Sequence, residues 1–204
     1  MELIMIYDSK YYALVNRGDK YLLRKVIQYL DPQPTDKILE IGCGRGFFTK
    51  KIQSLTKLTI GIDINPKAIA KGVTDNLKVM DATHLNFPSE FFDKIYSCHT
   101  IEHIPDLNRF FQEIERVLKS GGRLLLVYPW ELIRGMGAIG SSLIIFKHPF
   151  YCRKIHLHKL NPEKVQALAA NCQFRHIESH FSFFTTPQYF TILEKIKSGS
   201  SVVD

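Results

Sequence analysis

Three acidic residues and three glycines, set at regular intervals, are the part of this 204-residue chain best suited to chemistry. Gly42, Gly44 and Gly46 follow the apolar run "KILEI" at 37–41 and precede a helix-like stretch. Lacking Cβ atoms, glycines in such a strand-to-helix turn permit positive φ and let a ligand approach the backbone. A phosphate loop is excluded, because it needs lysine and serine or threonine after its last glycine, and Phe47 and Phe48 stand there. A dinucleotide fingerprint fits poorly. Its third glycine would be one place early, with a bulky phenylalanine where helix and strand should approach closely.

The acids sharpen this. Glu40, two residues before the first glycine, disfavours a nearby pyrophosphate and suits a ligand carrying an ammonium or sulfonium group. Asp63 closes the second apolar run, at about the twenty-residue spacing expected of an acid that accepts hydrogen bonds from ribose hydroxyls. Asp81 follows the third run in "MDA", placed to accept from an adenine amino group. Together they point to a nucleoside that is positively charged and carries no phosphate.

These residues need a scaffold that brings the ends of several strands together. From residue 37 onward, apolar runs of strand length alternate with amphipathic stretches of helical period, the pattern of a mostly parallel sheet with helices on both faces. The fold class is therefore α/β. Strands are expected at 37–41, 58–63, 77–80, 92–98, 122–128, 173–181 and 189–197. Helices are expected at 9–30, at 106–119 with Asp106 as cap and "SGG" as terminator, and at 161–171 with Asn161 as cap. In an open parallel sheet, ligands bind beyond the carboxyl ends of the strands.

The segments "ILEIGCGRGFFT", "IGIDINPKAI", "VMDATHLNFPSEFFDKIYSCHTIEHIPD" and "ERVLKSGGRLLLVYP" occur in that order. They resemble the successive motifs of class I S-adenosylmethionine-dependent methyltransferases of the small-molecule, type 11 kind. The resemblance covers residues 36–130. It implies a Rossmann-like, seven-stranded, mostly parallel sheet with an antiparallel last strand, and S-adenosyl-L-methionine as cofactor. It also implies one methyltransferase domain over 1–204: an N-terminal helical cover (1–35), the cofactor-binding core (36–130), a substrate lid (131–160) and a C-terminal helix and strand pair (161–204).

Carried over by position, the resemblance gives Glu40, Gly42, Cys43, Gly44 and Gly46 the amino-acid end of the cofactor, Asp63 the ribose, Ile64 one adenine face, and Asp81 with Ala82 the adenine edge. Cys98 and His99 would lie near the methionine moiety and the transferring methyl group. Tyr7, Tyr12 and Arg17 would help close the site from the cover. An oxygen or carbon acceptor usually needs deprotonation, and histidine is suited to that task. The candidates are His99, His103 in "IEHIPD", and His156 in a stretch that lines the substrate side of such enzymes. For Glu102 and His103 the alternative is a structural one, tying their loop to the helix that follows. Cys152, His156 and His158 lack a fourth metal ligand, so no metal centre is expected.

The net charge of +7 is concentrated in 131–164, where six basic residues stand against Glu131 and Glu163. The same region holds "GMGAIGSSLIIF", too short to span a bilayer but suited to covering a pocket or lying on a membrane. The expected reaction is methyl transfer to a small-molecule acceptor, apolar or amphiphilic, such as a quinone, isoprenoid or lipid precursor. Peripheral membrane contact through 131–156 is part of that expectation, as is a cytoplasmic location. The alternatives are an RNA or protein methyltransferase and a non-catalytic cofactor-binding protein. Nucleic acid is disfavoured, because "SCHT" stands where amino-methylating enzymes carry a proline-proline-aromatic motif.

Overall fold

A computed structural model describes residues 19–196 apart from 57 and 185. The expected seven strands all form: β1 (Lys37–Ile41), β2 (Leu58–Asp63), β3 (Leu77–Val79), β4 (Phe92–Cys98), β5 (Leu118–Pro129), β6 (Phe174–Ser182) and β7 (Gln188–Lys195). They build one sheet in the order β3-β2-β1-β4-β5-β7-β6. β1 to β5 are parallel, while β7 runs antiparallel to both β5 and β6. The strand order reverses at β1 and β4, so the ends of these two strands border the crevice where such sheets bind ligands.

Helices cover both faces. α1 (Lys20–Leu30) and α2 (Phe47–Ile52) pack on one side, where Val26, Leu30, Ile52, Tyr96 and Val127 are fully buried. α3 (Pro66–Ala70) follows β2, its N-terminal amides capped by the Asn65 side chain. α4 (Leu107–Val117) lies on the opposite face, burying Phe110, Phe111, Ile114 and Val117 in the larger core. Each such side chain contributes roughly 1.5–3 kcal/mol by leaving water. Asp106 accepts from the Arg109 amide and starts α4, as its position in the sequence predicts.

The end of α4 differs from expectation. The helix stops at Val117 rather than at the glycines, because the carbonyls of Arg116 and Val117 accept from the amides of Glu90 and Phe91. Leu118 is already extended and paired with Phe92, so β5 begins four residues before the expected 122 and contains "SGG" as an irregular stretch. Strand pairing claims the helix's last carbonyls before glycine can terminate it.

Two further helices, α5 (Ile139–Phe146) and α6 (Cys152–Ile155), lie between β5 and α7 (Pro162–Ala170). Asn161 caps α7 through the Lys164 amide. The α5–α6 segment is organised by Glu131, whose two carboxylate oxygens accept from the amides of Gly135 and Gly137 at 2.9 Å each.

Candidate functional site

The glycine turn leaves β1 at the sheet's switch point. Gly42 has φ 75°, and a Cβ there would lie 1.9 Å from Thr100 Oγ1, on the loop that leaves β4. Only glycine allows the two loops to lie this close. The turn is tied to β2 as well: the amides of Gly42 and Cys43 donate to the Ile62 carbonyl, and that of Gly44 to Asp63 Oδ2 at 2.8 Å.

A cavity of about 290 Å³ opens beside the turn. The ends of β1, β2 and β3 and the loop after β4 bound it, and of the expected cofactor residues it is lined by Gly42, Asp63, Ile64, Asp81 and Ala82. His103 and Thr100 line it too, Thr100 packing directly against the Gly42 turn. Its lining carries the carboxylates of Asp63, Asp81 and Asp106 and, among the described residues, no lysine or arginine. Apolar walls with acceptor carboxylates suit a nucleoside with a cationic tail and offer nothing to a pyrophosphate. The residues present therefore fit S-adenosylmethionine.

Asp63 is buried, with Oδ1 accepting from Asn65 N at 2.9 Å. Burial raises its carboxyl above the usual range, the two amide hydrogen bonds opposing that rise. Each oxygen retains acceptor capacity for a hydroxyl. Asp81 Oδ1 takes both the amide and the hydroxyl of Thr83 at 2.8 Å, which fixes the carboxylate at the cavity's edge. Ile64 keeps an exposed apolar side chain beside them.

Glu40 differs in placement. Its side chain points to the α2 face of the sheet, accepts a short hydrogen bond from the Thr49 hydroxyl, and does not line this cavity. Burial pushes its carboxyl up to about 7, with Thr49 pulling partly back. Cys43, Gly44, Gly46 and Cys98 also lie outside the cavity lining, and burial raises both thiols well above their usual range. Tyr7, Tyr12 and Arg17 fall outside the described residues.

The three candidate histidines come from two stretches, His99 and His103 flanking Glu102 after β4 and His156 beyond α6, and they gather around Glu102, which is 1% exposed. His99 takes φ 50° at the end of β4; its Nδ1 lies 3.7 Å from Glu102 Oε1, and its Nε2 donates to Gln188 Oε1 at 2.8 Å. His103 Nε2 lies 3.9 Å from the same Glu102 oxygen. The His156 ring meets that of His103 edge to face, with centroids 5.0 Å apart. Burial would raise the Glu102 carboxyl, yet His103, His99 and His156 outweigh it and hold the group at about 2. Burial lowers His99, but Glu102 outweighs it and the net shift is upward. For His103 burial prevails, and it is lowered despite Glu102.

The structural role expected of "EHIPD" is realised against a different partner. Rather than tying the loop to α4, Glu102 and His103 tie it to 155–158: the Leu157 amide donates to the Glu102 carbonyl, and His103 Nδ1 to the Ile155 carbonyl, both at 2.8 Å. His158 Nε2 similarly donates to the Ile104 carbonyl. Cys152 packs on Ala138 and Ile155. Sequence reading missed Glu131, which lies 2.7 Å from His156 Nδ1, and Gln188; nothing in local spacing marks either one.

Residues 39–126 match a family model described as a methyltransferase domain. A sterol 24-C-methyltransferase of Gibberella zeae is 30% identical over 135 residues, covering 61% of this chain and 34% of that protein. A phosphoethanolamine N-methyltransferase of Triticum aestivum is 30% identical over 123 residues, covering 56% and 24%. The match thus spans about a third or less of these curated relatives. The fold is shared with a SAM-dependent methyltransferase from Archaeoglobus fulgidus, at TM-score 0.69 and 20% identity over 92% of this chain and all of that one.

Proposed function

From the match of residues 39–126 to a methyltransferase-domain family model, we propose that the protein is a class I S-adenosylmethionine-dependent methyltransferase that transfers a methyl group to an apolar or amphiphilic small molecule. The observation that carries this reading is the cavity lined by Asp63, Asp81, the Gly42 turn, Thr100 and His103. Asp63 would hold the ribose hydroxyls, Asp81 and Ala82 the adenine edge, and Ile64 an adenine face. Glu40, at the end of β1 and outside this cavity's lining, would attract the cationic amino-acid end by its charge.

The bound cofactor supplies an electrophilic methyl group whose reactivity comes from the sulfonium. The chain's share of the work is to orient the acceptor in line and to keep water out. His103 lines the cavity and would position the acceptor's polar group, while His99 and His156, which do not line it, stand against Glu102 and His103. The 131–160 segment supports an apolar acceptor body: Leu132, Ile133, Leu143 and Phe150 are exposed there, beside Lys147, Arg153 and Lys154. This basic and apolar surface also supports contact with an anionic membrane. Among the described residues, no helix is long and apolar enough to cross one.

Incubation of the protein with methyl-labelled cofactor and fractionated metabolite extracts, followed by mass spectrometry, tests the reading. Label is expected in a small apolar or amphiphilic product. Label in RNA or protein would overturn the acceptor class. Cofactor binding without label in any fraction would leave a binding protein. For the membrane contact, Leu143→Glu should lower retention on anionic liposomes, and unchanged retention would remove that part.

A further inference from the structure

The Glu102 cluster has a feature that orienting an acceptor does not require. Two of the three histidines around the carboxylate are pinned through Nδ1, His103 by the Ile155 carbonyl at 2.8 Å and His156 by the Glu131 carboxylate at 2.7 Å. An imidazole that donates from Nδ1 presents its lone pair at Nε2, and an outer carbonyl or carboxylate holding Nδ1–H is the usual arrangement behind a metal-ligating histidine. One ligand atom from each of Glu102, His103 and His156 lies within 4.8 Å of the other two. Glu102 Oε2 is buried and has no hydrogen-bond partner, although its residue is 1% exposed.

We infer that Glu102, His103 and His156 form a site for a divalent first-row metal ion, with Glu131 and the Ile155 carbonyl as its outer support. Two histidines and one glutamate are a donor set that zinc takes when a further position is left open. Metal–ligand bonds of about 2.0–2.2 Å put neighbouring ligand atoms about 3.4 Å apart in a tetrahedral site. The His103 Nε2 to Glu102 Oε1 separation of 3.9 Å therefore needs to close by about half an ångström.

The carboxylate is left short of partners, because Glu102 Oε2 is buried and accepts no hydrogen bond. Removing a buried carboxylate from water is costly unless a positive charge compensates it. Access is available too, because His103 lines the cavity. An open coordination position there would accept an oxygen of the acceptor, which gives an amphiphilic molecule a head-group anchor.

The site does not rest on methyl transfer, and its test does not use turnover. The full chain, stripped with chelator, is dialysed against Zn²⁺ and, separately, against Co²⁺ for its visible absorption. One Zn²⁺ per chain and structured Co²⁺ bands are expected. Glu102→Gln, nearly isosteric, should weaken Zn²⁺ binding by tenfold or more and abolish the bands. Glu131→Gln, which removes no ligand but loosens the hold on His156 and on the Gly135 and Gly137 amides, should weaken binding about tenfold and retain them. His158→Gln should bind as the parent chain does. Absence of bound Zn²⁺, equal binding by the parent chain and Glu102→Gln, or a loss in His158→Gln matching that in Glu102→Gln would overturn the site. Circular dichroism verifies that each variant is folded, and should Glu131→Gln fail to fold, the Glu102→Gln comparison decides.

Discussion

His156 Nδ1 lies 2.7 Å from Glu131 Oε1, and both residues are buried. The pair joins the start of the 131–160 segment to its end, while Glu131 also receives the amides of Gly135 and Gly137. Two short helices with little core of their own are thereby held to the end of β5. Glu131→Ala would strand His156 and both amides, at about 1–3 kcal/mol for an unsatisfied buried group. We expect a lower urea midpoint and faster proteolysis within 131–157. Cleavage at the parent rate would show that apolar packing alone holds the segment.

Asp63 serves the fold as well as the ligand, since it fixes Gly44 and Asn65. Asp63→Ala should weaken binding of S-adenosylhomocysteine by about 1–3 kcal/mol in calorimetry. Asp63→Asn, which keeps one acceptor oxygen, should lose less. Equal affinity in all three proteins would remove the ribose role.

Glu40 makes stability depend on pH. Its folded carboxyl stands at about 7 against the usual 4.5, so the folded state prefers the protonated form. An acid shifted this way costs stability as pH rises from its unfolded value through about 7, and the cost is constant above that. The shift corresponds to roughly 3 kcal/mol at 1.36 kcal/mol per unit. Glu40→Gln should therefore match the parent chain near pH 4 and exceed it by up to about that amount at pH 8, measured as unfolding free energy. Cofactor affinity should fall in the same variant. Parallel stability curves across this range would contradict the shift.

Gly42→Ala places a methyl group 1.9 Å from Thr100 Oγ1 in a backbone conformation that L-residues rarely adopt. The strain of a non-glycine residue at positive φ is of order 1–3 kcal/mol. The melting temperature and cofactor affinity should fall together, because the same turn closes the cavity. Thr100→Ala in that variant removes the hydroxyl but not the φ strain, so recovery should be partial.

Much of this was legible in the residues. Apolar runs at strand length placed all seven strands, most plainly β1, β5 and β7, whose residues are buried nearly throughout, while the edge strands β3 and β6 keep exposed positions. Asp106 and Asn161 marked helix starts because capping is a local hydrogen bond within a few residues. The end of α4 was not legible. Its last carbonyls are claimed by Glu90 and Phe91, a competition between segments that no local pattern records.

The sequence by itself determined the sheet, its order of motifs and the cofactor class, because the Gly42 turn, Asp63 and Asp81 all sit directly at strand ends, where position in the chain is position in space. The tertiary structure alone decided which histidines meet. His99, His103 and His156 are scattered over nearly sixty positions, and Glu131 and Gln188 carry no motif at all. They are joined only because β5 returns the chain beside β4 and folds 155–158 back onto the "EHIPD" loop, so that a buried carboxylate finds its partners across long stretches of sequence. Burial, which raises the cost of every unpaired polar group, makes those distant pairings obligatory.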